Sequence, residues 1–148
     1  MATPANDLVA VELFAGGGGV AVGIKDAGYR VTAAVELDKH AAQTYLKNHP
    51  ETHLLVTDVR EVKASQLLEL SGGKIDLLAA CPPCQGFSTL TNKYRREDER
   101  NALVLEVARL VEETLPTAIM FENVPGLAVK GKKLFDELLI RLEALGYQ

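Results

Sequence analysis

The stretch Leu8-Val9-Ala10-Val11-Glu12-Leu13-Phe14-Ala15-Gly16-Gly17-Gly18-Gly19-Val20-Ala21 decides the fold. Residues 8–13 are a short apolar run, the pattern of a buried strand in a parallel sheet. Four glycines follow, letting the backbone turn sharply, and a helix is expected over residues 20–27, closed by Gly28. Gly16-x-Gly18-x-x-Ala21 has the spacing of a nucleotide-binding turn, in which the backbone approaches a ligand closely at a helix N-terminus.

The same alternation continues outward. Further strands are expected over residues 31–35, 53–56, 75–80 and 117–121, and helices over 39–47, 65–70, 102–114 and 131–145. A polar loop covers residues 88–100. Strands alternating with helices imply βαβ units and a parallel sheet covered on both faces, hence an α/β domain spanning residues 1–148. No internal repeat or interdomain linker interrupts it.

The bulk numbers are compatible with many functions. With 148 residues, 47% of them hydrophobic, the chain is long enough to bury a core. No apolar stretch approaches the roughly 20 residues that span a bilayer, and residues 1–7 lack the pattern of a secretory signal. A cytoplasmic, nucleoid-associated location is therefore expected. The formal net charge of −4 argues against binding nucleic acid with the whole surface. A local basic patch stays open: Lys93-Tyr94-Arg95-Arg96 and Arg100 are placed to meet phosphates, with a solvated loop as the plain alternative. Lys130, Lys132 and Lys133 read as a solvated helix start.

Two carboxylates complete the glycine turn. Glu36 ends the second strand about 20 residues beyond Gly16, where a ribose-binding carboxylate is expected, and Asp58 ends the third strand in the same way. Open α/β sheets bind ligands at these carboxyl ends. The bland alternative is a turn that only connects strand to helix, with Glu36 and Asp58 as helix caps. The pattern alone does not separate NAD from S-adenosylmethionine.

The fourth strand runs into Cys81-Pro82-Pro83-Cys84-Gln85-Gly86-Phe87-Ser88. The proline pair stiffens the turn and blocks a helix, so Cys84 is held at the ligand edge of the sheet. A thiol there acts as a nucleophile if nearby charge or backbone N–H groups favour its thiolate. Glu122, in Phe121-Glu122-Asn123-Val124-Pro125-Gly126, ends the fifth strand. Adjacent fourth and fifth strands would bring Cys84 and Glu122 to one cleft.

Four motifs now stand in order: Phe14-Ala15-Gly16-x-Gly18-Gly19, Glu36-Leu37-Asp38, Pro83-Cys84-Gln85-Gly86-Phe87-Ser88 and Glu122-Asn123-Val124. Their order and spacing resemble the cytosine-C5 DNA methyltransferases, and Asp98-Glu99-Arg100-Asn101 with the helix after it resembles the family's intervening segment. The resemblance implies a Rossmann-like class I S-adenosylmethionine-dependent methyltransferase fold with strand order 3-2-1-4-5. It also implies the roles that follow. Phe14, Ala15, Gly16, Gly18 and Gly19 shape the S-adenosyl-L-methionine pocket, and Glu36 takes the ribose hydroxyls. Leu37 and Val59 flank the adenine, Asp58 accepts from its amino group, and Pro83 and Leu103 line the methionine side. Cys84 is the nucleophile and Glu122 engages the base. The partner implied is double-stranded DNA with a flipped cytosine, the product S-adenosyl-L-homocysteine, and the setting restriction-modification. No metal site is expected.

Cys81 stands where the family commonly has glycine, and Leu37 where a larger aromatic is frequent, which suggests weaker adenine stacking. The family's later arginine motif, target-recognition region, C-terminal helix and last two strands are not expected within these residues. That leaves a cofactor-binding fragment, or one subunit of a split enzyme inactive alone, as the alternative. A CxxC dithiol redox site at Cys81 and Cys84 is the remote rival, and His40, His49 and His53 lack zinc-ligand spacing.

Overall fold

A computed structural model describes residues 7–83 and 102–148. The elements run β1 (Val9–Leu13), α1 (Gly19–Asp26), β2 (Arg30–Glu36), α2 (Lys39–Asn48), β3 (His53–Val56), a single 3-10 turn (Val59–Glu61) and α3 (Ala64–Leu70). After these come β4 (Leu77–Ala80), α4 (Leu103–Thr114), β5 (Ala118–Phe121), α5 (Gly126–Val129) and α6 (Lys132–Ala144). The five strands form one sheet in the order β3-β2-β1-β4-β5, and every neighbouring pair is parallel. This is the expected α/β, Rossmann-like arrangement. Its switch point lies between β1 and β4, from which the chain winds outward in both directions.

Side-chain size explains how the two faces are covered. On one face Ala10, Ala34 and Ala79 leave room for α1 and α2, whose Ala21, Ile24 and Tyr45 pack into the space. On the other face Val11, Leu13, Val35, Leu78 and Ala80 meet Leu67 of α3 and Val107, Leu110 and Val111 of α4. The helical spacing of Leu103, Val107, Leu110 and Val111 predicts a core stripe; the last three are core, while Leu103 is only partly buried against it and faces a cavity. A smaller cluster of Val104, Ala108, Leu127 and Leu138 fastens α5 and α6 to α4. Burying each large aliphatic side chain contributes on the order of 2 kcal/mol.

The register is not uniform. Pairing of β1 with β2 slips between Ala10 and Val11, and Ala10 faces Val31 while Val11 faces Ala33. Thr32 falls at the slip, where its buried hydroxyl meets Ser71 Oγ at 3.0 Å. The residues expected as one last helix, 131–145, are observed as α6 (Lys132–Ala144), preceded by the separate single turn α5 behind Pro125. Lys132 pairs with Asp136 one turn on, at 2.7 Å. Among the described residues no helix is long and apolar enough to cross a membrane.

Candidate functional site

The carboxyl ends of β1, β2 and β3 open onto a cavity of about 820 Å³. Its walls include Phe14, Glu36, Leu37, Asp58, Val59, Pro83 and Leu103, so seven residues scattered over 90 positions of sequence share one space. Asp38 and Cys81, which the sequence named in motifs without a role at the cofactor, line the same walls, and so does Arg60, which no sequence signal marked. Ala15, Gly16, Gly18 and Gly19 are not among its walls: Ala15 is buried under the turn, Gly16 N is turned to Glu36, and Gly18 and Gly19 begin α1.

The turn after β1 is held in a demanding shape. Phe14, Gly16 and Gly18 have φ values of 59, 55 and 93°. For Phe14, a residue with a Cβ, the left-handed conformation costs of order 1–3 kcal/mol, which the surrounding bonds must offset. Ala15 N donates to Val35 O at 3.0 Å, and Gly18 N to Ala15 O at 3.0 Å.

Glu36 is the clamp between two turns. Its Oε2 accepts from Gly16 N at 2.7 Å and its Oε1 from Asp38 N at 2.7 Å. Glu36 is thus not the cap of α2; Asp38 is, accepting from His40 N at 2.9 Å and Ala41 N at 2.8 Å. A carboxylate fixed by two backbone donors still has lone pairs left for hydroxyl donors in the cavity. Leu37 beside it is 64% exposed, an apolar face with nothing packed over most of it.

Asp58 caps the 3-10 turn through Arg60 N at 2.9 Å, and also takes Arg60 Nη2 at 2.6 Å. The Arg60 guanidinium, with that backbone bond, holds the Asp58 carboxyl below the usual carboxylate range. Asp58 is therefore an acceptor at neutral pH, the right partner for an amine N–H. Arg109 of α4 was not legible as a site residue. Its Nη2 donates to Val59 O at 3.1 Å and Val62 O at 3.2 Å, tying α4 to the turn that carries Asp58 and Val59.

The second half of the cleft lies at the ends of β4 and β5. Ala80 pairs with Phe121, and Glu122 N donates to Ala80 O at 3.0 Å, so Cys81 and Glu122 leave the sheet side by side. Asn123 Nδ2 donates to Pro82 O at 3.1 Å while its Oδ1 accepts from Val124 N at 2.9 Å. One side chain thus pins the proline turn to the end of β5. Cys84, the basic stretch 93–96 and Arg100 lie outside the described residues.

Cys81 itself is unsuited to thiol chemistry. Burial, with the charges of Glu122 and Glu12 nearby, pushes its thiol up to about 11. An attacking thiol in a dithiol redox pair needs the opposite shift, which weighs against that rival.

The residue set fits an adenosine-type ligand. Acceptor carboxylates stand at Glu36 and Asp58, and apolar faces at Phe14, Leu37, Val59, Pro83 and Leu103. A family model of C-5 cytosine-specific DNA methylases matches residues 8–148. The chain is similar to the type II methyltransferase M.PspPI of Psychrobacter sp. (strain TA137), 38% identical over 146 residues, covering 98% of this chain and 34% of that protein. It is likewise similar to M.AquIA of Picosynechococcus sp., 36% identical over 129 residues, covering 84% of this chain and 52% of the relative. Among solved structures, a prophage-encoded Escherichia coli protein described as a DNA modification methyltransferase superposes with a TM-score of 0.81 at 33% identity, over 93% of this chain and 38% of that one. A Spodoptera frugiperda DNMT2 variant superposes with a TM-score of 0.68 at 27% identity, over 91% of this chain and 41% of that one. The chain spans about a third of the length of M.PspPI and about half that of M.AquIA.

Proposed function

Because the chain belongs to the C-5 cytosine-specific DNA methylase family, we propose that it carries the cofactor and catalytic part of a DNA (cytosine-5)-methyltransferase. The observation that carries this reading is the cavity shared by Phe14, Glu36, Leu37, Asp58, Val59, Pro83 and Leu103, opening on the side of the Cys81-Pro82-Pro83 turn that leads to Cys84. When bound, S-adenosyl-L-methionine supplies an electrophilic sulfonium methyl and leaves as S-adenosyl-L-homocysteine. Glu36 would hold the ribose hydroxyls, Leu37 and Val59 would flank the adenine, and Asp58 would accept from its amino group. Phe14 and the glycine turn shape the floor, and Pro83 and Leu103 guide the methionine end.

The protein's own part in the chemistry centres on Cys84. C5 of cytosine is a poor nucleophile. Addition of the Cys84 thiolate to C6 forms a C–S bond and moves the electron pair toward C5. Glu122, bonded at N3 and the exocyclic amine, stabilises that charge and selects cytosine. After methylation at C5, the C5 proton passes to water, its bonding pair re-forms the C5–C6 double bond, and the C–S bond breaks with its pair on sulfur, returning Cys84 as thiolate. C6 is unreachable within a stacked duplex, so double-stranded DNA enters with the cytosine flipped out. Target recognition comes from the remaining length seen in the relatives or from a second subunit, in a restriction-modification setting at the nucleoid.

The test pairs calorimetry with methyl transfer. The chain should bind S-adenosyl-L-methionine, and with its recognition part supplied should methylate cytosine in duplex DNA. Cys84→Ala should abolish transfer and leave cofactor affinity within about twofold. Transfer surviving in Cys84→Ala would remove the covalent route; a chain that binds no S-adenosyl-L-methionine would remove the whole reading.

A further inference from the structure

Beneath the glycine turn, outside the cavity walls, lies a buried polar cluster that the proposed chemistry does not use. His49, 3% exposed, follows α2 and reaches across to Gly18, where its Nε2 lies 2.9 Å from the carbonyl oxygen. Its Nδ1 lies 2.6 Å from Lys25 Nζ of α1. Lys25 is shared with Glu51, and the imidazole rests on Tyr45 with ring centroids 4.8 Å apart. Tyr45 in turn donates to Glu12 Oε2 at 3.0 Å.

Both ends of His49 impose the same proton arrangement. A carbonyl oxygen only accepts, so Nε2 must carry a hydrogen; an ammonium only donates, so Nδ1 must be bare. The bond falls where it matters. Gly18 sits at φ 93° as the residue before α1, and its carbonyl accepts the first helical bond, from Val22 N, at only 3.4 Å. The imidazole donor supplies what that long bond lacks, and its ring fills the space that a Cβ at Gly18 would need.

We propose that His49, fixed by Lys25 as the neutral Nε2–H tautomer, is a positioning residue that holds the Gly16–Gly19 turn in its cofactor-binding shape. The cofactor side rests on the function proposed above; the tautomer and the shape of the turn do not. His49 lies outside the cavity walls and acts through its bond to the Gly18 carbonyl. Replacing it with Gln puts an amide N–H near the place of Nε2–H, whereas Leu keeps the bulk without a donor.

Nitrogen-15 correlation spectra of the cofactor-free chain should show a protonated Nε2 and a bare Nδ1 in His49, and Lys25→Met should shift the pair toward tautomer exchange. Calorimetry should show about tenfold weaker S-adenosyl-L-methionine binding for His49→Leu and under threefold for His49→Gln. Amide shifts of residues 16–19 should move in the Leu variant and recover in the Gln variant. A protonated Nδ1 in the parent chain, or unmoved amides and unchanged affinity in His49→Leu, would overturn the proposal. Equal loss of affinity in both variants, with equal loss of thermal stability, would reduce His49 to a packing residue and overturn it as well. If the parent chain binds no S-adenosyl-L-methionine, the proposed function fails, while the tautomer and the amide shifts still decide the role of His49.

Discussion

The two halves of the cleft are built differently. Around β1, β2 and β3 the turns are cross-braced: Glu36 joins the first two, His49 with Lys25 holds the first again at Gly18, and Arg109 fastens the third from α4. At β4 and β5 the described bracing is lean. β5 is an edge strand with Met120 36% exposed, and one side chain, Asn123, links its end to the proline turn. The β1–β3 side is preorganised by polar contacts, whereas on the β4–β5 side the described residues reach Pro83, one position before the proposed nucleophile Cys84. Damage to the first half should therefore appear as lost stability or cofactor affinity, and damage to the second as lost turnover.

The largest expected effect is at Gly18. An alanine there must hold φ near 93° and drive its Cβ against His49 and Tyr45. The combined strain and overlap should cost about 3–4 kcal/mol of stability. Urea titration reads this as a lower midpoint, and calorimetry should show cofactor binding reduced beyond detection. Near-normal stability in Gly18→Ala would mean that the turn is not braced as described.

Next comes Glu12, the buried end of the same bracing. It is 1% exposed, and burial pushes its carboxyl up to about 7 despite the Tyr45 hydroxyl, which works the other way. A carboxyl whose native value is raised binds its proton more tightly folded than unfolded. Its stabilising contribution is full below about 4.5, the unfolded value, and is lost as pH rises through about 7. Glu12→Gln should thus gain up to about 3 kcal/mol over the parent at pH 8 and nothing at pH 5. Thermal melts at the two pH values check it. A parallel offset at both would show that Glu12 keeps its charge in the fold.

Legibility in the sequence followed the same divide. Alternating apolar runs and helix periods were enough for the strands and a parallel sheet; their order came with the family resemblance, and in that order Gly16, Glu36 and Asp58 fall at one edge whatever their side chains do. His49 stood out in the sequence only as a histidine without zinc-ligand spacing, because its partner Gly18 is 31 positions away and comes close only through the packing of α2. Arg109 was hidden likewise, its carbonyl partners lying about 50 positions upstream. Glu12 did leave a signal: a lone carboxylate inside an apolar strand needs a buried partner, and Tyr45 supplies it. The single turn α5 was missed because four residues behind a proline carry no periodicity.

A smaller effect is expected at Glu36. Gln in its place presents an amide N–H to one of two backbone donors, Gly16 N or Asp38 N, so one turn loses its acceptor. Binding of S-adenosyl-L-methionine should weaken by about 2 kcal/mol, roughly 30-fold. Transfer should recover at saturating cofactor, because the base-facing half is untouched. A turnover defect that persists at saturation would join the two halves more closely than their contacts do.

The smallest effect belongs to Asn123, and it separates the halves most cleanly. Alanine there removes the bond to Pro82 O and leaves Val124 N without its side-chain acceptor. Both groups are partly buried, so water can replace some of what is lost, and the stability cost should be about 1 kcal/mol. The consequence for chemistry is larger than that figure suggests. The Cys81-Pro82-Pro83 turn runs directly into Cys84, and for the nucleophilic role proposed for Cys84 a displacement by a fraction of an ångström slows the reaction. Asn123→Ala should therefore lower the methyl-transfer rate about tenfold at saturating cofactor while S-adenosyl-L-methionine affinity stays within twofold. Single-turnover assays with the recognition part supplied, set beside calorimetry on the same sample, read both numbers. An affinity loss equal to the rate loss would place Asn123 with the cofactor half, and the division of the cleft would have to be redrawn along α4 rather than between β1 and β4.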